Sequence, residues 1–227
     1  MRPILSCRAL SIGYDGCRLC TGIDFTLHEG EYMCVVGHSG MGKTCFANTL
    51  LGALEPIDGE VIYENALTRS EIGYVPQNDE IHGSMTVRDV VLSGCIGGMK
   101  HFFLSRREKD MALECMKRMG LDEMAKKRFA ELSGGQKQKA LLARAMCGKR
   151  RLLILDEPLR GLDAIAKDDL FDCIAEISSE GCAVIMIDKD AVDGTVLHLS
   201  DTQLYCGDVE NYIRSVPGQF YFSGRII

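Results

Sequence analysis

The sequence predicts an α/β fold whose core is a mixed, largely parallel sheet, and three observations indicate it. Short apolar runs that suit buried strands alternate with helix-like stretches along the chain. One of these runs leads into a glycine-rich loop and then into a helix-like stretch, Cys45 to Leu54. Further strand-like segments near the N-terminus favour a second, antiparallel layer. The four apolar runs are Met33 to Val36, Ile72 to Val75, Leu152 to Leu155 and Ala183 to Ile187.

The N-terminal segments Ile4 to Leu27 and Gly59 to Tyr63 have the pattern of short antiparallel strands, and they predict a small β-layer beside the main sheet. Between Gln77 and Leu132 the pattern becomes helical. Thr86 to Leu92 predicts a short helix, and a capping box that starts at Ser105 opens a longer one that ends near Met119. We therefore expect one domain over residues 1–227, with a helical subdomain inserted at about 78–148.

The glycine-rich loop fits the pattern G-x-x-x-x-G-K-[ST] throughout, in the strand–loop–helix context that this motif requires. Its residues are Gly37, His38, Ser39, Gly40, Met41, Gly42, Lys43 and Thr44. The glycines let backbone N–H groups close around phosphate oxygens, and the helix N-terminus adds a partial positive charge. Lys43 is expected to reach the β- and γ-phosphates and Thr44 to bind Mg²⁺. The loop predicts a P-loop NTPase fold that binds a nucleoside triphosphate.

A second half of the site is predicted where the apolar run Leu152 to Leu155 ends in two acids, Asp156 and Glu157. Ligands of open α/β sheets bind at the carboxyl ends of the strands, so both acids are delivered to the phosphates. Asp156 suits the coordination of Mg²⁺ together with Thr44. Glu157, one residue further, suits a general base that accepts the proton of the attacking water.

The order of these motifs resembles the ATP-binding-cassette (ABC) transporter ATPases over essentially the whole chain. The stretch from Thr86 to Asp163, with its short helical insertion and Leu121-Asp122-Glu123, looks most like the zinc and manganese importers. Tyr14 matches the aromatic residue that stacks on adenine, and Gln77 matches the glutamine loop, which serves catalysis and Mg²⁺. Leu132 to Gln136 matches the signature motif. Gly161-Leu162-Asp163 matches the loop after the catalytic glutamate, and it places Asp163 among the nucleotide-binding residues.

The resemblance implies a dimer in which the signature residues of one subunit contact the γ-phosphate of ATP held by the other. The signature residues are Ser133, Gly134, Gly135 and Gln136. They open an apparent helix, Gln136 to Met146, so one chain carries two helix starts suited to phosphate. That arrangement makes sense if the two starts serve different nucleotides. A serine N-cap followed by a glycine turn is compatible with the same residues and does not exclude this role.

Two positions depart from the family pattern. The switch histidine that usually follows the strand after Glu157 is replaced by Lys189, which brings positive charge but has no hydrogen-bond acceptor. Lys139 stands in the signature helix where an arginine is typical. We expect Lys189 to serve the γ-phosphate as a catalytic residue and the chain to be a slow but genuine ATPase.

Composition is consistent with a single cytosolic enzyme, and the family resemblance implies a peripheral position at the cytoplasmic face of the membrane. The 227 residues carry a net charge of −6, which argues against nucleic acid as a main partner. There is no apolar run of ~18 residues. The eleven cysteines lack framework spacing and are typical of a reducing compartment, although Cys17-Arg18-Leu19-Cys20 formally has C-x-x-C spacing.

The expected function is ATP hydrolysis that drives transport through a separate integral membrane permease, with ATP and Mg²⁺ bound and a second copy or a related ATPase as partner. The resemblance to zinc and manganese importers implies import of a metal ion, although these motifs contact ATP and the permease and do not specify the cargo. Two alternatives remain open: a low-turnover regulatory subunit, suggested by Lys189, and a soluble ABC ATPase without a transport role.

Overall fold

The computed structural model describes residues 2–14, 16–78, 81, 84–96, 105–189 and 194–223. Nine strands and seven α-helices lie in these ranges. The strands are β1 (Pro3–Tyr14), β2 (Cys17–His28), β3 (Tyr32–Val36), β4 (Asp58–Tyr63), β5 (Ile72–Val75), β6 (Leu152–Asp156), β7 (Ala183–Ile187), β8 (Thr195–Leu199) and β9 (Gln203–Asp208). The helices are α1 (Lys43–Leu50), α2 (Val87–Ile96), α3 (Arg106–Arg118), α4 (Gly134–Met146), α5 (Ala164–Ser179), α6 (Val209–Arg214) and α7 (Val216–Ser223).

The main sheet has six strands in the order β5-β6-β7-β3-β8-β9. Its first five strands are mutually parallel, and β9 pairs antiparallel with β8. The parallel strands therefore end at one common edge. The register aligns Asp156 with Ile187 and Val35 with Ile187, which brings the ends of β6, β7 and β3 side by side. This confirms the predicted α/β class.

The predicted small β-layer is confirmed as a three-stranded antiparallel sheet in the order β2-β1-β4. Its strand β1 is central, with Leu5 paired to Leu27 on one side and to Tyr63 on the other. Leu5 and Leu27 are fully buried. One apolar core lies between this layer, α1 and one face of the main sheet. The small sheet and α1 therefore lie on the same face of the main sheet.

Both faces of the main sheet are buried, which explains why its strands have continuous apolar sequences. Alternate residues of β3 belong to different cores: Met33 packs with the antiparallel layer, and Cys34 packs with the helices on the other face. In β6, Ile154 and Leu155 divide in the same way. The helical side holds residues of α2, α3, α4 and α5 in one cluster.

Helix boundaries differ from the predictions at two places for identifiable reasons. The predicted helix Cys45 to Leu54 ends at Leu50, because Gly52 follows in the left-handed conformation with φ 67° and stops it. The predicted helix Thr86 to Leu92 continues to Ile96 through Gly94. A Cβ at Gly94 would collide with the carbonyl oxygen of Arg144, so this glycine lets α2 approach α4 closely and does not end the helix.

The capping box at the start of α3 is confirmed. The Ser105 hydroxyl accepts from the Glu108 N–H at 3.3 Å, and the Glu108 carboxylate accepts from the Ser105 N–H at 2.6 Å. Helices α2, α3 and α4 all fall between Gln77 and β6. The subdomain limits 78–148 stay a prediction. In the described part of the chain, no helix is both long and apolar enough to cross a bilayer.

The C-x-x-C pair lies within β2, where Cys17 is exposed and Cys20 is buried. Residues three apart in a strand point to opposite faces, so these two thiols cannot share a ligand without a change in the backbone. Within the described residues, no disulfide bond joins any of the eleven cysteines. Among the described residues, no group of three or more His, Cys, Asp or Glu could hold a metal ion.

Candidate nucleotide-binding site

The phosphate-binding loop connects β3 to α1 at the common edge of the parallel strands. Gly42 is the N-cap of α1 and adopts φ 85°, a left-handed conformation that suits glycine. No side chain caps this helix, so the first N–H groups of α1 are available to an external anion. A Cβ on Gly42 would also lie 3.0 Å from the side chain of Leu19. The loop thus has the features expected of a phosphate cradle.

Lys43 is folded back over this loop and is only 7% exposed. Its ammonium donates to the carbonyl oxygens of Gly37 at 2.8 Å and His38 at 3.1 Å. Burial is the main influence on Lys43 and lowers its pKa, while the charge of Glu157 opposes that shift. These two hydrogen bonds go to neutral carbonyls, so the buried ammonium gains strongly from a phosphate oxygen, since charge-assisted hydrogen bonds are the stronger ones.

We therefore expect Lys43→Ala to weaken ATP binding by at least ~10-fold, or roughly 1.4 kcal/mol. The substitution removes the ammonium and leaves the glycine loop and the helix start in place. Titration of both proteins with a fluorescent ATP analogue measures the effect. Equal affinities for the parent and the variant would mean that the loop has a structural role only.

Thr44 and Asp156 form the part of the site that is expected to bind Mg²⁺. The Thr44 hydroxyl donates to the Asp156 carboxylate at 2.8 Å, across the gap between α1 and the end of β6. Asp156 is 1% exposed, and burial raises its pKa, although the Thr44 hydrogen bond opposes that shift. A hydroxyl and a buried carboxylate side by side are oxygen ligands that Mg²⁺ accepts. The two residues fit the ion.

Gln77 and Glu157 meet directly at the mouth of the site. The Gln77 amide nitrogen donates to Glu157 Oε2 at 2.7 Å. This hydrogen bond uses the amide nitrogen of Gln77, and the amide oxygen is the atom of this side chain that could bind Mg²⁺. The Arg160 guanidinium lies 3.5 Å from the same Glu157 oxygen.

Glu157 also has an unusual backbone conformation, with φ 48°. Its N–H donates to the Ile187 carbonyl at 2.7 Å, which anchors the turn after β6 to the end of β7. A non-glycine residue with positive φ costs about 1–3 kcal/mol and persists where the surroundings enforce it, often at functional positions. The strained turn directs this carboxylate toward Gln77 and the phosphate loop.

These side chains line one cavity of about 290 Å³. Its lining consists of Tyr14, Leu19, Ser39, Gly40, Gly42, Lys43, Thr44, Cys45, Gln77, Asp156 and Glu157. Tyr14 is 45% exposed at the end of β1, where a ring can stack on a base. Leu19 and Cys45 were not predicted as site residues. An apolar residue in a strand and a cysteine in a helix give no sequence signal that separates them from core positions.

Lys189 follows β7 and is exposed. Its backbone N–H donates to Asp188 Oδ1 at 2.6 Å. Burial and the charges of Glu157 and Asp156 have the larger effects on the pKa of Lys43. The charge of Lys189 is the next influence, and it lowers that pKa. The two lysines therefore act electrostatically on the same region. Asp190, which flanks Lys189 in the sequence, lies outside the described residues.

The predicted signature residues are not brought into this cavity. Ser133 is the N-cap of α4, and its capping box with Gln136 is complete. A Cβ at Gly135 would lie 3.0 Å from Ala166, so glycine here permits close packing of α4 against α5. Asp163 is likewise an N-cap and accepts from the Ala166 N–H at 2.8 Å. These contacts account for the residues locally, and their role toward a nucleotide on another subunit stays a prediction.

Comparison with known proteins gives a result that is consistent with the family that the sequence motifs resemble. The ABC transporter family model matches residues 20–160. The zinc import ATP-binding protein ZnuC of Ruegeria pomeroyi is 35% identical over 190 residues, which are 83% of this chain and 70% of that protein. The manganese transport system ATP-binding protein MntA of Synechocystis sp. is 29% identical over 235 residues, which are 97% of this chain and 90% of that protein.

Solved structures share the fold. MJ1267, an ATP-binding cassette of an ABC transporter in its ADP conformation, superposes with a TM-score of 0.87 at 20% identity and covers 99% of this chain and 100% of its own. The dimeric post-hydrolysis state of the cassette MJ0796, bound to ADP and Pi, superposes with a TM-score of 0.76 at 22% identity, over 91% of this chain and 99% of its own. Since the family model matches more than half of the chain, this protein belongs to the ABC transporter family, as one of its ATP-hydrolysing, nucleotide-binding subunits.

Proposed function

We propose that this chain drives substrate import through a separate integral membrane permease and hydrolyses ATP across a head-to-tail dimer. The observation that carries the proposal is the convergence of five side chains at one edge of the sheet. These are Lys43, Thr44, Gln77, Asp156 and Glu157, all of which line the same cavity. Three separate strands deliver them, so their meeting is a property of the fold and not of one local motif.

Within this cavity each residue has a distinct task. Lys43 and the N–H groups of the loop hold the β- and γ-phosphates. Thr44, Asp156 and Gln77 would hold Mg²⁺, which when bound neutralises charge on the phosphate oxygens. Glu157 accepts the proton of the attacking water, and the hydrogen bond from Gln77 orients its carboxylate. Tyr14 stacks on the adenine.

The dimer accounts for the signature residues and Asp163, which do not line the cavity. Ser133, Gly134, Gly135, Gln136 and Asp163 lie at helix starts outside the lining of this chain's own cavity. In a head-to-tail pair, the start of α4 would face the γ-phosphate of the partner's nucleotide, where N–H groups and the helix dipole favour an anion. The partner is a second copy or a related ATPase.

The cargo is proposed to be a divalent metal ion. The support is similarity to chains named for zinc import and manganese transport, at 35% and 29% identity. The chain would lie at the cytoplasmic face of the membrane, with the helices between residues 78 and 148 nearest the permease. Co-purification with a permease, followed by Zn²⁺ and Mn²⁺ uptake into vesicles, tests this. Uptake that continues with Glu157→Gln in place of the parent chain would contradict it.

Lys189 is proposed to stabilise the negative charge that develops on the transferring phosphoryl group. We expect Lys189→Ala to lower kcat by ~10-fold or more, because a cation at the γ-phosphate is lost. We expect Lys189→His to keep or raise kcat, since imidazole is the usual group at this position in the family. Steady-state phosphate release with saturating ATP measures both. A Lys189→Ala variant as fast as the parent would make the lysine a bystander.

A low-turnover regulatory subunit is the second candidate, and the specific observation that favours it is the lysine at position 189. It predicts ATP binding by the parent chain together with phosphate release at the background rate. Measurable steady-state hydrolysis by the purified parent would eliminate this candidate. The same measurement therefore decides between the two functions.

A further inference from the structure

The C-terminal helix α7 carries a buried tyrosine, Tyr221, that contacts both loops proposed to hold the γ-phosphate. Tyr221 is 4% exposed. Its hydroxyl donates to the backbone carbonyl oxygen of Lys189 at 2.9 Å. Its ring packs against that of His38 in the phosphate-binding loop, with centroids 5.6 Å apart and an angle of 56°. No motif in the sequence points to this residue.

Tyr221 is itself held rigidly by a buried aromatic cluster, which we define as His198, Tyr212 and Tyr221. The His198 and Tyr221 rings are 5.0 Å apart, and the His198 and Tyr212 rings are 5.6 Å apart. The Tyr212 hydroxyl and His198 Nδ1 are 3.0 Å apart. Burial lowers the pKa of His198 to about 4, so the cluster is uncharged near neutral pH.

The main sheet connects this cluster to the site. His198 of β8 is aligned with Val36, the residue directly before the phosphate-binding loop. Helices α6 and α7 pack so closely that a Cβ at Gly218 would collide with the Tyr212 carbonyl oxygen. The position of the Tyr221 hydroxyl is therefore fixed by buried contacts to β8 and α6. It is an anchor point and not a mobile surface group.

We propose that Tyr221 is a positioning residue for ATP hydrolysis, which fixes the backbone of Lys189 relative to His38 and the phosphate-binding loop. The Lys189 N–H is already held by Asp188, and the Tyr221 hydroxyl holds its carbonyl. The lysine ammonium can stabilise a developing charge only if its backbone is fixed near the γ-phosphate. This inference rests on the proposed catalytic function of Lys189, and it makes the C-terminal helix part of the catalytic apparatus.

The test compares Tyr221→Phe with the matched control Tyr205→Phe. Each change deletes one hydroxyl that donates to a backbone carbonyl, and the Tyr205 hydroxyl donates to Asp208 at 3.1 Å, away from both loops. We expect Tyr221→Phe to lower kcat by about 2- to 10-fold, the range of one net hydrogen bond, with KM for ATP within about twofold of the parent. Tyr205→Phe should keep the parent kcat, and both variants should show similar melting temperatures.

A double-variant cycle separates positioning from general structural support. If Tyr221 acts through Lys189, Tyr221→Phe should cause no further loss of kcat in the Lys189→Ala background. An equal loss in both backgrounds, or an unchanged kcat in Tyr221→Phe, overturns the inference. If Lys189→Ala is slow and Tyr221→Phe is not, only this inference fails. If the parent itself hydrolyses no ATP, the proposed function fails, and the positioning role fails with it.

Discussion

Replacing Glu157 with glutamine is expected to slow ATP hydrolysis by ~10²–10⁴-fold while ATP binding is kept, because general base catalysis contributes about this factor. The amide has the shape of the carboxylate but cannot accept the proton of the attacking water. Lys43 and the loop N–H groups, which are proposed to hold the phosphates, are unchanged by the substitution. Fluorescent-ATP titration and steady-state phosphate release measure the two properties separately.

The matched control is Glu60→Gln, the same change at an exposed glutamate of the antiparallel layer that faces Arg8. A surface pair of this kind contributes little to stability, so this variant should hydrolyse ATP at the parent rate. If Glu157→Gln also hydrolyses at the parent rate, another group is the general base. If Glu157→Gln fails to bind ATP, the loss reflects damage to the site through the hydrogen bond that Gln77 donates to this side chain.

Ser133→Arg is expected to abolish turnover and to leave the ATP affinity of the monomer near that of the parent. Ser133 lies at the start of α4 and outside the lining of its own chain's cavity. A bulky cation there would block closure of the dimer against the partner's nucleotide. The parent and variant are compared by phosphate release and by ATP titration at concentrations where the protein is monomeric.

The loss of a helix cap must be separated from the loss of dimer closure, and the chain offers a matched control for this. Ser105 caps α3 with the same capping box as Ser133 caps α4. Losing such a cap costs about 0.5–2 kcal/mol of stability in either helix. Ser105→Arg should therefore lower the melting temperature as Ser133→Arg does, yet keep hydrolysis. Similar losses of turnover in both variants would contradict the role of Ser133 in the dimer.

Much of the fold can be predicted from the sequence, because local sequence patterns specify its strands and helices. Strands buried on both faces have continuous apolar sequences, as Leu152 to Leu155 shows, and the parallel order follows from their alternation with helices. The position of Asp156 and Glu157 at a strand end then places both near the phosphate-binding loop, and the structure does bring them into its cavity. The ends of the helices were predicted less accurately. Helix α1 stops before its predicted end because Gly52 follows it, and α2 continues past its predicted end because Gly94 does not stop it.

The contacts that could not be predicted are those between distant parts of the chain that leave no local pattern. Tyr221 approaches Lys189 and His38 only because α7 packs back on β8. Leu19 reaches the phosphate-binding loop because β2 crosses it, and its apolar side chain resembles any strand residue. The role of Ser133 toward a second subunit is a further case, since one chain shows only its capping contacts.

The most direct test of the central claim is the size of the Glu157→Gln variant in solution with ATP and Mg²⁺. In the proposed mechanism hydrolysis reopens the dimer, so a variant that binds ATP but cannot cleave it should accumulate in the closed state. We predict a particle with twice the mass of one chain when ATP is present, and a monomer when it is absent. Addition of Ser133→Arg to the same chain should restore the monomer. A Glu157→Gln variant that is saturated with ATP and still monomeric would contradict hydrolysis across a head-to-tail dimer.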